Sequence, residues 1–222
     1  MSRQPSVLPT MVGVAMACGF AIALVFQATA GQIERNRAEL LEQAVAEVLP
    51  GVANLRGYAI ADNALTDAAT DQAQFIAGYD QTGALVGVAL PARIMGYQDT
   101  IRMLFGYDPV SERLTGFAVL DSRETPGLGS KIDTDPDFLA SLKGLDVQLA
   151  GHTLANEATL ATWGAERAPW QVDGITGATV SSHAVIQAIN DTAPALAAIR
   201  AQLPALKSTS KVRAESTEGK DA

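Results

Sequence analysis

The chain has 222 residues, 48% of them hydrophobic and 18% charged, with a formal net charge of −8. The apolar content excludes a wholly disordered chain, and the acidic balance argues against a nucleic-acid partner, which needs a clustered basic face. The single cysteine, Cys18, excludes a disulfide framework, a CxxC redox pair and a cysteine-based zinc site. Any redox chemistry must therefore come from a bound cofactor.

The N-terminal segment, residues 1–30, is uncharged beyond Arg3. Its apolar part, about residues 8–30, is long enough as an α-helix to span a hydrocarbon core of about 30 Å. We predict a single transmembrane helix here, with the lipid bilayer as its surroundings. A cleaved signal peptide is the alternative, because Ala28-Thr29-Ala30 has the small-x-small pattern of a cleavage site.

Residues 31–49 continue with helical periodicity and are predicted to form a juxtamembrane helix. The positive-inside rule does not decide the topology, because Arg3 flanks one side of the apolar segment while Arg35 and Arg37 flank the other. The periodic apolar positions are Ile33, Leu40, Leu41, Ala44, Val45 and Val48.

Residues 50–206 form one predicted globular domain, followed by a polar tail at 207–222 that we expect to be disordered. Short spacings between its strand-like runs predict antiparallel pairing, so the fold class is α+β, a mainly antiparallel sheet with flanking helices. The runs are Gln74–Asp80, Ala84–Leu90, Thr100–Gly106 and Leu114–Leu120.

Two helices are predicted in this domain. The first covers residues 135–143, with Asp135 as the N-cap and Pro136 at the first helical position. The second covers residues 182 to about 203 and is interrupted or kinked near Pro194.

The stretch DGITGATVSS, residues 173–182, places small and hydroxyl side chains directly before the second helix. Small residues let a ligand approach the backbone closely, and the free N–H groups of a helix N-terminus favour an anion. One interpretation of this segment is that it binds a phosphate group. An ordinary helix cap with a tight turn is the other, because Asp, Ser and Thr are common at helix starts.

A second stretch, ETPGLGSK at residues 124–131, follows a predicted strand and makes a defined turn. It does not match the GxxxxGK[ST] P-loop, because Lys131 follows Ser130 and precedes Ile132. It also lacks the third glycine and the long helix of a dinucleotide fingerprint. In isolation it reads as an ordinary loop.

Other chemistry is not indicated. His152 and His183 lack metal-ligand spacing, so no metal site is predicted, and no GxSxG elbow marks a hydrolase. The remaining aromatic candidates read as core or lid residues rather than flavin-stacking groups: Trp163, Trp170, Tyr97 and Tyr107.

Taken in order, the apolar helix, Gly96-Tyr97, ETPGLGSK and DGITGATVSS resemble the covalent FMN-binding subunits of ion-pumping respiratory complexes. The resemblance is to the family of the G subunit of the Rnf electron transport complex, with the C subunit of the sodium-translocating NADH:quinone reductase as a relative. It extends from the anchor to about Pro204. The order and spacing of the two motifs carry it, because neither motif alone is specific.

The resemblance implies that FMN is attached through a phosphodiester to Thr179, the second threonine of the TGAT motif. It further implies that a flavin transferase installs it from FAD, recognising a motif that begins at Asp173, with Thr176 at its first hydroxyl position. The ETPGLG segment is implied to lie close to the flavin. The implied cofactor-binding residues are Asp173, Thr176, Gly177, Ala178, Thr179, Glu124, Thr125, Gly127, Leu128, Gly129 and Lys131.

Lys131 is expected near the flavin ring, with an ion pair to Asp133 or Asp135 as the alternative. The resemblance implies an inner-membrane, single-pass subunit whose main domain lies on the periplasmic, extracytoplasmic side. Its implied function is electron relay, without catalysis of its own, in a complex of membrane subunits that couples electron flow between ferredoxin and NAD to ion translocation. The alternative is a membrane-tethered binding, regulatory or assembly domain that keeps the same fold.

Overall fold

The computed structural model describes residues 7–61, 64–70, 72–162 and 166–208. The chain divides into two compact units, Met1–Leu40 and Leu41–Ala222. The described residues of the first unit belong to a long N-terminal helix. The second unit contains the end of that helix, the sheet and the remaining helices.

Helix α1 runs without interruption from Val7 to Val48. Within the described residues it is the one helix long and apolar enough to cross a membrane, with a mean hydropathy of 2.1 in its most apolar window. The predicted transmembrane and juxtamembrane segments are therefore a single helix, which ends just before Pro50. Proline has no N–H and disfavours a helical conformation in the residue before it.

The second unit is built on a six-stranded, fully antiparallel sheet. All four predicted strands are present, and the prediction of a mainly antiparallel α+β fold is confirmed. The strands are β1 (Asn54–Ala61), β2 (Ala64–Ala68), β3 (Phe75–Tyr79), β4 (Leu85–Met95), β5 (Thr100–Asp108) and β6 (Arg113–Asp121). Their order in the sheet is β2-β1-β3-β4-β5-β6.

Strands β1 and β2 were not predicted from the sequence. They are rich in alanine, and β1 carries Gly57, so neither shows the β-branched alternation that marks a strand. Tertiary pairing supplies what local preference lacks, because β1 lies between β2 and β3 in the sheet. Strand β4 continues five residues past the predicted end at Leu90, since Pro91 through Met95 pair with β5.

Each face of the sheet carries its own core. The larger core lies between the sheet and the later helices and includes Phe105, Phe117 and Phe138. The smaller core lies on the opposite face, where the end of α1 packs onto the strands. Its buried members are Ala44, Val45, Val48, Leu49, Ile76, Ala89, Leu104 and Ala118.

The helices of the larger core follow the predicted order. Helix α2 (Pro136–Leu142) begins as expected, since the carboxylate of Asp135 accepts a hydrogen bond from Phe138 N–H at 3.0 Å. The helix predicted from Ser182 begins three residues earlier, as α3 (Thr179–Asp191). The helix is interrupted at Thr192, and Pro194 lies in the first turn of the next helix, α4 (Ala193–Ala201).

Between α2 and α3 the chain forms two small two-stranded ladders. The first is antiparallel and the second parallel. Their strands are β7 (Leu149–Ala150), β8 (Thr153–Leu154), β9 (Thr159–Leu160) and β10 (Gln171–Val172). Of the tail predicted at 207–222, residues 207 and 208 are helical, and the rest lies outside the described residues.

Candidate functional site

An open groove of about 330 Å³ lies where the two sequence motifs meet. Ligand sites in proteins occupy about 300–1,000 Å³, so this groove has a suitable size. Three chain segments line it: the turn between β4 and β5, the loop after β6, and the start of α3. The lining residues are Tyr97, Thr125, Leu128, Gly129, Gly177, Ala178, Thr179, Val180 and Ser181.

Thr179 is the first residue of α3, and its side chain is exposed in the groove. The preceding Ala178 has no side chain that could cap the helix. The first intrahelical bond is donated by Ser182 N–H to the Ala178 carbonyl at 2.9 Å, so the N–H groups before Ser182 start the helix without intrahelical acceptors. A hydroxyl beside free N–H donors is an arrangement that suits a phosphate group.

Gly177 shapes the turn into α3. Its φ of +83° lies in the left-handed region, which residues with a side chain rarely adopt. A Cβ at this position would lie 3.4 Å from the Leu128 side chain, across the groove. Gly127 has the same type of conformation, with φ of +77°, and its N–H donates to the Ser130 hydroxyl at 3.0 Å. Both motifs therefore use glycine to turn the chain beside the groove.

Asp173 and Thr176 belong to the second motif but are not among the groove-lining residues. The N–H of Asp173 donates to the buried Ser141 hydroxyl of α2 at 3.1 Å, which fixes the start of the motif on that helix. Its carboxylate forms an exposed ion pair with Arg167 at 3.5 Å. Thr176 is exposed and Asp173 is half-buried.

Glu124 lies outside the groove lining and is only 5% exposed. One carboxylate oxygen accepts a hydrogen bond from Gln98 N–H at 2.9 Å, and the other accepts one from the Ser181 hydroxyl. Burial opposes ionisation of this carboxyl, but the hydrogen bonds from Gln98 and Ser181, with the N–H groups of Tyr97 and Asp99, lower its pKa below the usual glutamate value. Glu124 is therefore a buried carboxylate held in its charged form.

Two glycines make room for this carboxylate. A Cβ at Gly96 or at Gly129 would come within 3.0 Å of a Glu124 oxygen. Real Cβ atoms essentially never approach so closely, so neither position accepts a larger residue without movement. The GLG of the first motif thus has a packing role as well as a turn role.

Lys131 lies in a 3-10 helix, Gly129–Asp133, and is half-buried. It is not among the groove-lining residues, and in the described part of the chain it forms no ion pair with Asp133 or Asp135. Its expected role near a flavin ring stays a prediction.

The four aromatic candidates have different surroundings. Tyr97 is 73% exposed and lines the groove, so it belongs to the site. Tyr107 is fully buried in the core and Trp170 is half-buried, away from the groove lining. Trp163 lies outside the described residues.

Sequence reasoning did not select Val180 and Ser181 as site residues. Both lie near the end of the DGITGATVSS motif, and their roles come from helix geometry, because the first turn of α3 places both residues on the groove and lets the Ser181 hydroxyl reach Glu124. Among the described residues, no charged side chain lines the groove. Any anion there would be held by backbone N–H groups and hydroxyls.

Comparison with known proteins gives concordant findings. The model of the FMN-binding domain family matches residues 96–193, which contain both motifs. The chain is 30% identical over 184 residues to the G subunit of the ion-translocating oxidoreductase complex of Methanosarcina acetivorans, covering 83% of this chain and 89% of the relative. The corresponding G subunit of Pectobacterium atrosepticum is 32% identical over 170 residues, covering 75% of this chain and 76% of the relative.

The fold also has a solved counterpart. The C subunit of the Na(+)-translocating NADH-quinone reductase from Parabacteroides distasonis superposes with a TM-score of 0.57. The alignment covers 74% of this chain and 94% of that one, at 16% sequence identity. At this identity the likeness shows that the fold is shared.

Proposed function

The chain belongs to the family of the G subunit of ion-translocating oxidoreductase complexes, and from this we propose that it is an electron-transfer flavoprotein subunit of such a complex. In the finer proposal it carries FMN covalently, through a phosphodiester to Thr179. The single observation that most supports this is the convergence of both motifs on one groove, with the Thr179 hydroxyl exposed in it.

The residues present fit this cofactor. A phosphodiester on Thr179 would keep one negative charge, which the N–H groups of the first turn of α3 can solvate. The groove offers Tyr97, Leu128 and Val180 as exposed apolar surface for a flat ring. When bound, FMN would supply reversible electron transfer, while the protein sets its position and surroundings.

In the proposed loading step a flavin transferase uses FAD as the donor. The Thr179 oxygen forms a bond to the phosphorus of the FMN half, the pyrophosphate P–O bond breaks, AMP leaves, and the hydroxyl proton is released. Covalent attachment suits this domain, because its 9 Lys and Arg against 17 Asp and Glu between residues 50 and 204 give no long-range attraction for an anion.

The proposal extends to the surroundings of the protein. Helix α1 would anchor it in the inner membrane beside other membrane subunits, with the domain on the extracytoplasmic side. Electrons would pass through it within a complex that links ferredoxin and NAD to ion movement. The chain alone would not be a catalyst, since it has no motif for binding either NAD or ferredoxin.

The test is the intact mass of the full chain, expressed with and without a flavin transferase, followed by peptide mapping. We expect a gain of one FMN group that maps to residues 174–183. Thr179→Ala should abolish the gain while the protein still folds, and Thr179→Ser should retain it, because serine supplies the same nucleophilic oxygen.

Two results would overturn the proposal. One is covalent flavin on the Thr179→Ala chain, which would place the attachment elsewhere. The other is an unmodified wild-type chain in cells whose transferase modifies a second substrate, which would favour the binding or assembly role instead.

A further inference from the structure

We propose that Glu124 is a positioning residue rather than a ligand of the flavin: its buried carboxylate hydrogen-bonds to two segments that line the groove, the β4–β5 turn and the first turn of α3, and fixes their relative position. The inference rests on the proposed function for what occupies the groove. We call the two hydrogen bonds that Glu124 accepts, from Gln98 N–H and from the Ser181 hydroxyl, the Glu124 tie. The tie involves residues of this chain alone and can be tested without any flavin.

The geometry of the tie is specific. One oxygen of the Glu124 carboxylate accepts from Gln98 N–H, next to Tyr97 in the β4–β5 turn, and the other accepts from the Ser181 hydroxyl in the first turn of α3. Tyr97 and Val180 are both exposed on the groove lining, each one residue from an anchor of the tie. Glu124 thus connects the segments that carry these two side chains.

A third segment is joined to the same point. Thr125 follows Glu124 in the chain and lines the groove, and its hydroxyl donates to the side-chain oxygen of Gln98 at 3.1 Å. Leu128 N–H and Ser130 N–H both donate to the Thr125 carbonyl, at 3.1 and 3.3 Å, which closes the loop after β6. Each of the three segments that line the groove therefore contains Glu124 or Thr125, or is hydrogen-bonded to one of them.

Two glycines lie directly against the Glu124 carboxylate. Gly96 and Gly129 flank the carboxylate so closely that an added Cβ on either would clash with it. A buried charge is costly unless its oxygens are hydrogen-bonded, and here both oxygens are. The cost of burying the charge is offset only while both segments donate to Glu124. The charge therefore favours the arrangement in which both hydrogen bonds are formed.

The experiment uses the full chain in detergent, before and after flavin loading, and compares Ser181→Ala with Ser182→Ala. Ser182 is the matched control, because it is equally buried in the same turn but donates only to the Ala178 carbonyl at 3.0 Å. In the unloaded chain, Ser181→Ala should speed amide exchange at Ser182 and His183 by about tenfold to a hundredfold, the effect of losing a hydrogen bond to a charged group.

A substitution series at Glu124 separates positioning from space filling. Glu124→Gln keeps an acceptor for Gln98 N–H and gains an amide donor for the Ser181 oxygen, so it should retain most of the amide protection at Gln98. Glu124→Met fills similar volume without either bond and should lose that protection. If the methionine variant does not fold, the comparison of Ser181→Ala with Ser182→Ala still decides the question.

After loading, acrylamide quenching of flavin fluorescence reports how well the ring is shielded, and a neutral quencher avoids an effect of charge. Loading is measured by intact mass and only the loaded protein of each variant is compared; we expect stronger quenching in Ser181→Ala and Glu124→Met than in wild type, Ser182→Ala and Glu124→Gln. Equal exchange and equal quenching in the two serine variants would overturn the inference. Failure of wild type to load would instead overturn the proposed function, and the exchange data would still test the tie.

Discussion

At the scale of single residues, the site depends on positions where a side chain is absent as much as on those where one is present. Gly177 turns the backbone through a left-handed conformation and leads the chain into α3 at Thr179. Gly96 and Gly129 leave the space that the Glu124 carboxylate occupies. The chemistry proposed for Thr179 therefore requires neighbours chosen for their conformation and small size.

Replacing Gly177 with valine should destabilise the fold and impair flavin loading. A left-handed conformation costs a residue with a side chain about 1–3 kcal/mol, and valine is among the least tolerant. Urea unfolding and intact mass measure the two effects. Gly174→Val is the matched control for stability, because Gly174 has no left-handed φ and its Cβ would meet only Leu160 at ordinary distances. Full stability and full loading of Gly177→Val would contradict the assigned conformation.

The lowered pKa of Glu124 predicts a specific dependence of stability on pH. A carboxyl whose pKa is lower in the folded state contributes stability above its unfolded pKa, and this is lost as pH falls through the folded pKa. Glu124→Gln should therefore be less stable than wild type at neutral pH, and the difference should shrink below the ordinary glutamate value of 4.5. Urea unfolding of both chains from pH 7 to about pH 3 tests this. A difference that does not change with pH would show that the charge contributes nothing.

At the scale of elements, the end of α1 belongs to the sheet it packs against. The Val48 carbonyl accepts a hydrogen bond from the Thr115 hydroxyl at 2.6 Å, which satisfies one of the last carbonyls of the helix. Gly106 and Gly116 lie beneath Val48 and let the helix end approach the strands directly. The end of α1 is thus held on the sheet by a packed contact rather than by a free linker.

A methyl group at Gly106 should disrupt this contact. Its Cβ would come within 3.0 Å of the Val48 carbonyl oxygen and the Thr115 hydroxyl oxygen, so the helix end or the strand must move. Overpacking of this kind costs about 1–3 kcal/mol in free energy of unfolding. Urea unfolding of Gly106→Ala measures it, with Gly174→Ala as the control at an uncrowded glycine. Equal stability of the two variants would mean that the close approach is not maintained in solution.

At the scale of the whole molecule, the compact domain begins at Leu41, within α1. The sequence predicts a juxtamembrane helix at 31–49 and a domain from residue 50, where the helical periodicity ends, and that boundary stays a prediction. Val45, Val48 and Leu49 are completely buried in the smaller core. The last two turns of α1 therefore serve the domain.

Two truncations test this assignment. A chain starting at Leu41 should fold as a soluble domain, whereas a chain starting at Gly51 should be strongly destabilised. Removing Val45, Val48 and Leu49 gives up about 4.5–9 kcal/mol of burial at about 1.5–3 kcal/mol for each side chain, which is comparable to the whole stability of a domain. Circular dichroism and urea unfolding distinguish the two chains. Equal stability would show that the smaller core is dispensable.

Several properties could be predicted from the sequence because their signals are local. A long uncharged segment predicts α1, alternating apolar runs separated by turn residues predict β3 to β6, and Asp135-Pro136 predicts the start of α2. The two glycine-containing motifs, taken in order, point to the family that the comparisons then show. In each case the information lies within a few neighbouring residues, or in the spacing between them.

Other properties were decided only by the tertiary structure. The sequence contained no sign that Glu124 accepts hydrogen bonds from Gln98 and Ser181, because these partners lie 26 and 57 residues away along the chain. It likewise could not show that Tyr97 lines the groove while Tyr107 is buried in the core, because each tyrosine follows a glycine beside or within a predicted strand and the local sequences are alike. Which groups meet across a groove depends on how the sheet and helices pack, and packing is a property of distant parts of the chain acting together.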